Sequence, residues 1–334
     1  MPERSSRMPE LLNRMPDRMP TASRVSTAEP IGVLVMAYGT PATLEDVESY
    51  YTHIRRGRPP EPAQLEELTG RYRAIGGSSP LLAISRAQAG GLGELLAAQG
   101  ERRFHVELGC KHAPPFIEDA VQALLDAGVR EAIGLVLAPH YSTLSIGEYV
   151  LRAREAAGDR LDFTFIEDWH LEPAYIQLLA GRLRESLDCF PVEVRDEVEV
   201  VFTAHSLPAR VVLSKDPYPR QLPETARAVA LSAGHPRFST AWQSAGRTSE
   251  QWLGPDVLEV VRKLAATGSP GVIVCPAGFV SDHLEILYDL DVECRQLAAN
   301  AGLSWRRTAS PNADPAFLQT LAGLVLDRVS VART

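Results

Sequence analysis

The stretch IGVLVMAYGTP, residues 31–41, opens as a continuous apolar run and stops at a Tyr-Gly-Thr turn, with no alternation of apolar and polar residues. A strand that is apolar on both faces has helices on both sides, as in the parallel sheet of an α/β protein. Working outward from it, the sequence repeats one pattern of apolar run, turn and amphipathic stretch, the mark of βαβ units. FHVELGC (104–110), AIGLVLAP (132–139) and DFTFIE (162–167) give three further strands. LEDVESYYTHIRR (44–56), SRAQAGGLGELLAAQ (85–99) and FIEDAVQALLDAG (116–128) supply helices between the strands.

A second series follows, with strands expected at EVEVVFTA (197–204), RFSTAWQ (237–243), GVIVCPAG (271–278) and SWRRTAS (304–310). The expected fold is α/β, in two similar lobes spanning 30–168 and 169–313. Each lobe carries a parallel four-stranded sheet flanked by helices, and the substrate cleft lies between them. A last amphipathic segment, 314–334, is expected to form a helix that packs back on the lobes.

Residues 1–29 are rich in Pro, Arg, Ser and Met, repeat the triplet RMP and show little apolar periodicity. They read as a disordered extension. The alternatives are an Arg-rich transit peptide, against which Glu3, Glu10 and Asp17 count, and a true start at Met8, Met15, Met19 or later.

With 34 Lys and Arg against 42 Asp and Glu, the net charge is -8, which gives no attraction to a phosphate backbone. Nucleic acid is therefore not expected as a partner. No apolar run approaches the roughly 20 residues that span a bilayer, and no signal-peptide core is present. The four cysteines, Cys110, Cys189, Cys275 and Cys294, are scattered and form no CxxC pair. A cytoplasmic location is the expectation.

Open parallel sheets bind ligands beyond the carboxyl ends of their strands. Those ends are polar here: Tyr38-Gly39-Thr40, Lys111-His112, His140-Tyr141-Ser142, His205-Ser206 and Gln243-Ser244. Three of the eight histidines follow strand ends directly. One such histidine is explained as a solvated cap; a cluster at equivalent positions in two lobes points to a site. GxGxxG and GxxxxGK[ST] are absent after the first strand, and no GxSxG elbow occurs, so nucleotide and serine-hydrolase chemistry are not expected.

In SDHLEILYDLDVEC (281–294), helical periodicity places Asp282, Glu285, Asp289 and Glu293 on one face. Like charges four residues apart repel by a few tenths of a kcal/mol. Spacing alone leaves two readings open, a solvated acidic face or a carboxylate track for a divalent cation. Glu with imidazole suits a first-row metal such as Fe(II).

Ten collinear motifs carry a family resemblance. They are VMAYGTP (35–41), YYTHIRRGRPPEP (50–62), RYRAIGGSSPL (71–81), KHAPPFIEDAV (111–121), LAPHYSTLSIGEY (137–149), TAHSLP (203–208), DPYPRQL (216–222), WQSAG (242–246), WLGPD (252–256) and GFVSDHLEILYDLDVEC (278–294). Together the chain from about residue 31 to 330 resembles ferrochelatases, and within them the bacterial coproporphyrin III branch.

That resemblance implies two Rossmann-like lobes enclosing a porphyrin, and a reaction that inserts Fe(II) into coproporphyrin III, giving coproheme and two protons. It implies catalytic roles for His205 and Glu285 on the metal-delivery side, with Asp289 and Glu293 as an outer metal station. Tyr38 matches an axial ligand to the product iron. Arg55, Arg71, Tyr72, Ser79 and Tyr149 match binders of substrate carboxylates, and Lys111 and His112 match a pair at the cleft.

Some actinobacterial relatives hold an iron–sulfur cluster partly on clustered C-terminal cysteines; this sequence has no cysteine after Cys294, so no cluster and no cofactor beyond substrate iron are expected. A monomer is expected, with transient contact to neighbouring haem-pathway enzymes. The alternatives are the same reaction on protoporphyrin IX, cobalt or nickel insertion into a sirohydrochlorin-type ring, and a non-catalytic two-lobed solute-binding protein.

Overall fold

The computed structural model describes residues 29–331 apart from Glu101. Strands β1 (Ile31–Ala37), β2 (Phe104–Cys110), β3 (Glu131–Val136) and β4 (Asp162–Ile166) form one parallel sheet in the order β2-β1-β3-β4. Strands β5 (Glu199–His205), β6 (Phe238–Gln243), β7 (Gly271–Cys275) and β8 (Ser304–Arg307) form a second, in the order β6-β5-β7-β8. The two orders follow one scheme. All eight apolar runs are strands, with ends within three residues of those expected.

The helices are α1 (Val47–Ile54), α2 (Pro62–Ala74), α3 (Leu81–Ala98), α4 (Ile117–Asp126), α5 (Ile146–Ala157), α6 (Pro173–Leu187), α7 (Val192–Arg195), α8 (Arg210–Leu213), α9 (Tyr218–Ala233), α10 (Val257–Ala266), α11 (Arg295–Asn300) and α12 (Pro315–Val331). A π-helix, Glu285–Cys294, runs directly into α11.

Alternate residues of each strand serve different cores. Leu34 and Met36 of β1 pack under α4 and α5, while Val33 and Val35 face α3. In the second sheet, Val201, Val272 and Val274 pack against α10, α11 and the π-helix. The inner faces of both sheets share a single apolar cluster, in which Val33, Val35, Phe202 and Ile273 meet Tyr175 of α6 and Phe317 of α12. The lobes are thus fused by a common core. Helix α12 lies on α3 and α6, and at Gly91 of α3 a Cβ would meet Leu318 Cδ1 at 2.5 Å, so the glycine permits this close approach.

The extension expected over 1–29 lies, apart from Glu29, outside the described residues, as do the last three residues of the segment expected over 314–334. Among the described residues no helix is long and apolar enough to cross a membrane.

Candidate active site

The strand ends of both lobes open on one cavity of about 620 Å³. From the first lobe, Tyr38 stands immediately after β1. Backbone pairing continues past the strands, with Lys111 N–H donating to Ala37 O and His112 N–H to Tyr38 O, each at 2.9 Å. This pairing sets Lys111 and His112 beside Tyr38, whose ring lies 4.7 Å from that of His112. Gly39 makes the turn possible: its φ is +90°, and a Cβ there would meet Ala113 N at 2.9 Å.

Charge is suppressed on this wall. Although part of Tyr38 is open to the cleft, desolvation by the surrounding walls, with added repulsion from Glu285 and Glu148, holds its hydroxyl above its ordinary range. Burial and the Lys111 charge push His112 down to about 3, so the ring is neutral. His112 Nδ1 lies 3.1 Å from His53 Nδ1. The Lys111 ammonium is pulled down by burial and partly restored by Glu148, with which it forms an ion pair. His140 lines the same cavity but turns Nε2 to Thr225 Oγ1 at 2.9 Å, and burial lowers it to about 3.

The second lobe presents the opposite electrostatics. His205 is the last residue of β5, and its main-chain carbonyl accepts from the Tyr218 hydroxyl at 2.8 Å. Its Nδ1 is bonded to the Ser206 carbonyl, so Nδ1 carries a proton. Its Nε2 lies 3.5 Å from Glu285 Oε1, and it can donate there only when the ring is protonated. Burial works against that charge, but Glu285 outweighs it and raises His205 above its ordinary value. The reciprocal holds for Glu285: burial pushes it up, yet His205 and then His283 bring it well below the usual carboxylate range.

His283 escaped the sequence reading. Its Nε2 sits 3.4 Å from Glu285 Oε2, while its Nδ1 is bonded to the Ser281 carbonyl at 2.9 Å. Its place two residues before Glu285 in the DHLE motif was the available signal. The wall also includes Arg56, Glu148, Arg210 and Trp252, none of which the strand-end argument singled out as site residues.

Two expectations need correction. Asp282, Glu285, Asp289 and Glu293 do not share one face of an α-helix. The helix is of the π type and begins at Glu285; Asp282 precedes it and turns to Ser310 (2.7 Å), Asn312 (2.9 Å) and Arg307 (3.3 Å), and Glu293 is exposed. A π-helix bonds i to i+5, which widens the turn, and such segments concentrate at functional sites. Gln243 braces its start, donating from Nε2 to the Glu285 carbonyl at 3.2 Å.

Only Asp289 remains next to Glu285. It is buried between Arg71 and Ser244, both of which donate to it. Burial and the Glu285 charge, opposed by Arg71, leave its carboxyl at about 6.

The second correction concerns Arg55. Its guanidinium bonds the Arg58 carbonyl at 3.2 Å and covers the Tyr51 ring, whereas Arg56, at φ +57°, lines the cavity. Arg71, Tyr72, Ser79, Lys111, His112 and Tyr149 line it as expected, together with Tyr38, His205 and Glu285. Tyr149 lies under the Lys111 ammonium at 5.1 Å, and the Tyr72 hydroxyl is 3.3 Å from Thr40 Oγ1.

Two lobes with one strand order and a shared cleft at their strand ends define a chelatase-type fold. SirB from Bacillus subtilis with Fe3+ has this fold, with a TM-score of 0.57 over 90% of this chain and 95% of that one at 11% identity. CbiX, from siroheme biosynthesis in denitrifying bacteria, gives 0.52 over 89% and 98% at 15% identity. The chain belongs to the ferrochelatase family, whose model matches residues 30–329. It is 47% identical over 305 residues to the coproporphyrin III ferrochelatase of Anoxybacillus flavithermus, covering 90% of this chain and 96% of that relative. It is 45% identical over 303 residues to that of Bacillus subtilis, covering 90% and 98%. The expected fold, enzyme class and family are borne out.

Proposed function

We propose that the protein inserts Fe(II) into coproporphyrin III to form coproheme with release of two protons. The observation that carries the choice of porphyrin is the set of basic side chains that, among the described residues, line the cavity: Arg56, Arg71, Lys111 and Arg210. Each is paired with an acid of the protein, Glu148 for Arg56 and Lys111, Asp289 for Arg71 and Glu250 for Arg210. Four cations already adapted to carboxylates suit a substrate with four propionates better than one with two.

In this reading His205 and Glu285 act on the metal and the pyrrole protons. Glu285 is ionised throughout the neutral range and supplies a carboxylate to the incoming cation. Taking up the cation weakens the Glu285–His205 pair, so the imidazolium gives its Nε2 proton to water in the cleft; the neutral ring then takes the two pyrrole N–H protons in turn and passes each to water, so that two protons leave for each Fe(II) inserted. His283 Nε2 faces the second carboxylate oxygen and can donate to it only when the ring is protonated. Asp289 stands behind Glu285 as a further carboxylate on the metal's route. Tyr38, from the other lobe, supplies a phenolate to the product iron. The resemblance implies Arg55 as a binder of substrate carboxylates, but the geometry supports Arg56 in that role.

The reading includes no resident iron–sulfur cluster; Cys110, Cys275 and Cys294 are buried, and burial pushes each thiol up, to about 11, 12 and 12. Free thiols suit a reducing compartment such as the cytoplasm, and the reading takes the protein to act there as a monomer that hands coproheme to the next enzyme by transient contact. Specificity constants for coproporphyrin III and protoporphyrin IX under anaerobic Fe(II) test the substrate. A clear preference for coproporphyrin is expected, and the reverse preference overturns the assignment.

A further inference from the structure

The segment that carries His283 and Glu285 is held from the other lobe by a side chain outside the cavity. Gln88, on α3, is completely buried. Its two Nε2 hydrogens are shared among Asn312 O at 2.8 Å, Ser281 Oγ at 3.0 Å and Val280 O at 3.3 Å, and its Oε1 accepts from Ser281 Oγ at 3.3 Å. Both ends of the amide are therefore spent on one loop and its partner. Gln88 and Ser281 are 193 positions apart, so the bond joins the first lobe to the metal-handling loop of the second.

Asn312 completes the clamp. Its backbone N–H donates to Val280 O at 2.8 Å. Its side chain takes the Asp282 N–H at 2.8 Å and gives Nδ2 to Asp282 Oδ2 at 2.9 Å. Residues 280–282 are thus tied on each side, by Gln88 and by Asn312. The Ser281 carbonyl, inside this tied segment, is the group that orients His283 through Nδ1. His283 in turn faces Glu285.

We propose that Gln88 is a positioning residue for metal insertion, a clamp between the lobes that fixes the Val280–Asp282 backbone and through it the direction of His283 and Glu285. The inference rests on the assignment of Glu285 as the carboxylate that meets the metal. Its physical basis is that a catalytic group off by an ångström loses much of its effect, and that buried amides are the groups able to fix a backbone to that tolerance. Gln88 touches neither porphyrin nor metal, so its loss should leave porphyrin binding alone. The metal is what meets Glu285, and metal use is where a loosened loop registers.

Gln88→Leu, close to isosteric and unable to donate or accept, should raise the KM for Fe(II) or lower kcat by about tenfold, equivalent to about 1.4 kcal/mol. Coproporphyrin affinity, read by fluorescence titration, should stay unchanged. Gln88→Glu keeps one acceptor for the Ser281 hydroxyl but loses the amide donor, and is expected to be impaired as well.

Asn312→Gly serves as the second variant in case the buried substitutions do not fold. Asn312 has φ +48°, so glycine takes the conformation without strain while the bonds to Asp282 are lost. It should show the same metal-selective loss. A folded Gln88→Leu or Asn312→Gly enzyme with wild-type kcat and metal KM overturns the proposal, as does a loss of porphyrin affinity equal to the loss of activity. Glu285→Gln run in parallel separates the two claims: if it is inactive while both clamp variants are normal, the clamp fails and the Glu285 assignment stands.

Discussion

The two lobes have one strand order and two chemistries. β1 and β5 are the equivalent central strands of their sheets, and each delivers a site residue at its carboxyl end, Tyr38 in one and His205 in the other. Around Tyr38 the protein resists charge: the phenol keeps its proton, His112 is neutral, and Glu148 pairs with both Lys111 and Arg56. Around His205 it stabilises charge, with a raised imidazole, a lowered Glu285 and His283 alongside. The scaffold therefore decides where groups converge, and the loops decide what they do.

The largest test of that contrast removes the charged pair. Glu285→Gln and His205→Ala should each lower insertion by about 10²–10⁴, the range for loss of a general acid or base, with porphyrin binding retained. His283→Ala should lower it about tenfold, because it removes the ring that faces the second oxygen of Glu285 and leaves the carboxylate in place. Loss of porphyrin fluorescence on adding anaerobic Fe(II) measures all three. Near-normal turnover in Glu285→Gln would erase the distinction between the lobes.

A smaller effect should appear in the pH dependence, because Glu285 and Asp289 are shifted in opposite directions. Glu285 stays ionised well below neutrality, so it sets no limb near pH 6. Asp289 gains its charge at about 6. As pH falls through that value the carboxylate behind Glu285 is lost and attraction for a cation weakens. The KM for metal should rise while that for porphyrin holds.

Stability carries the same signature with its own sign. The folded carboxyl binds a proton more tightly than the unfolded one, so its contribution is full below the usual Asp range near 4 and is lost as pH rises through about 6. Asp289→Asn should abolish the metal-KM limb, and a limb that persists in that variant would assign it elsewhere.

These effects divide along what the sequence makes visible. The strands were legible because a run such as Val33 to Met36 is apolar on both faces, and only a doubly covered sheet accommodates that. Tyr38, Lys111, His112 and His205 were legible because strand ends are where such sheets bind ligands. Glu285 needed the family motif, since an acidic row has a solvated alternative.

What stayed hidden depends on single backbone choices. Arg55 and Arg56 are neighbours at a helix end, and the left-handed φ of Arg56 leaves that residue, not Arg55, on the cavity wall. The change from α to π at Glu285 is accompanied by a Gln243 amide arriving from β6, a contact made 42 residues away in sequence. The direction of Asp282 is likewise set by Arg307, Ser310 and Asn312, which no helical periodicity could reveal.

The gentlest perturbation falls on the first lobe. Tyr38 has 42% of its surface exposed to the cleft, so Tyr38→Phe removes a hydroxyl that stabilises little, and the fold should change by no more than about 0.5 kcal/mol. Insertion should change little too, because a phenol held above its ordinary range is no base at neutral pH. Iron alters the balance: a bound cation inverts the local preference and favours the ionised oxygen. The phenolate should therefore form only after metal has entered, as a ligand to product. Absorption spectra separate these stages. Free enzyme and enzyme with metal-free porphyrin should be alike in wild type and Tyr38→Phe, and bound coproheme should differ. An unchanged coproheme spectrum would show that Tyr38 does not reach the iron. A large fall in rate would show instead that the first lobe takes part in insertion, and the division between a wall that handles metal and protons and a wall that receives the product would have to be redrawn.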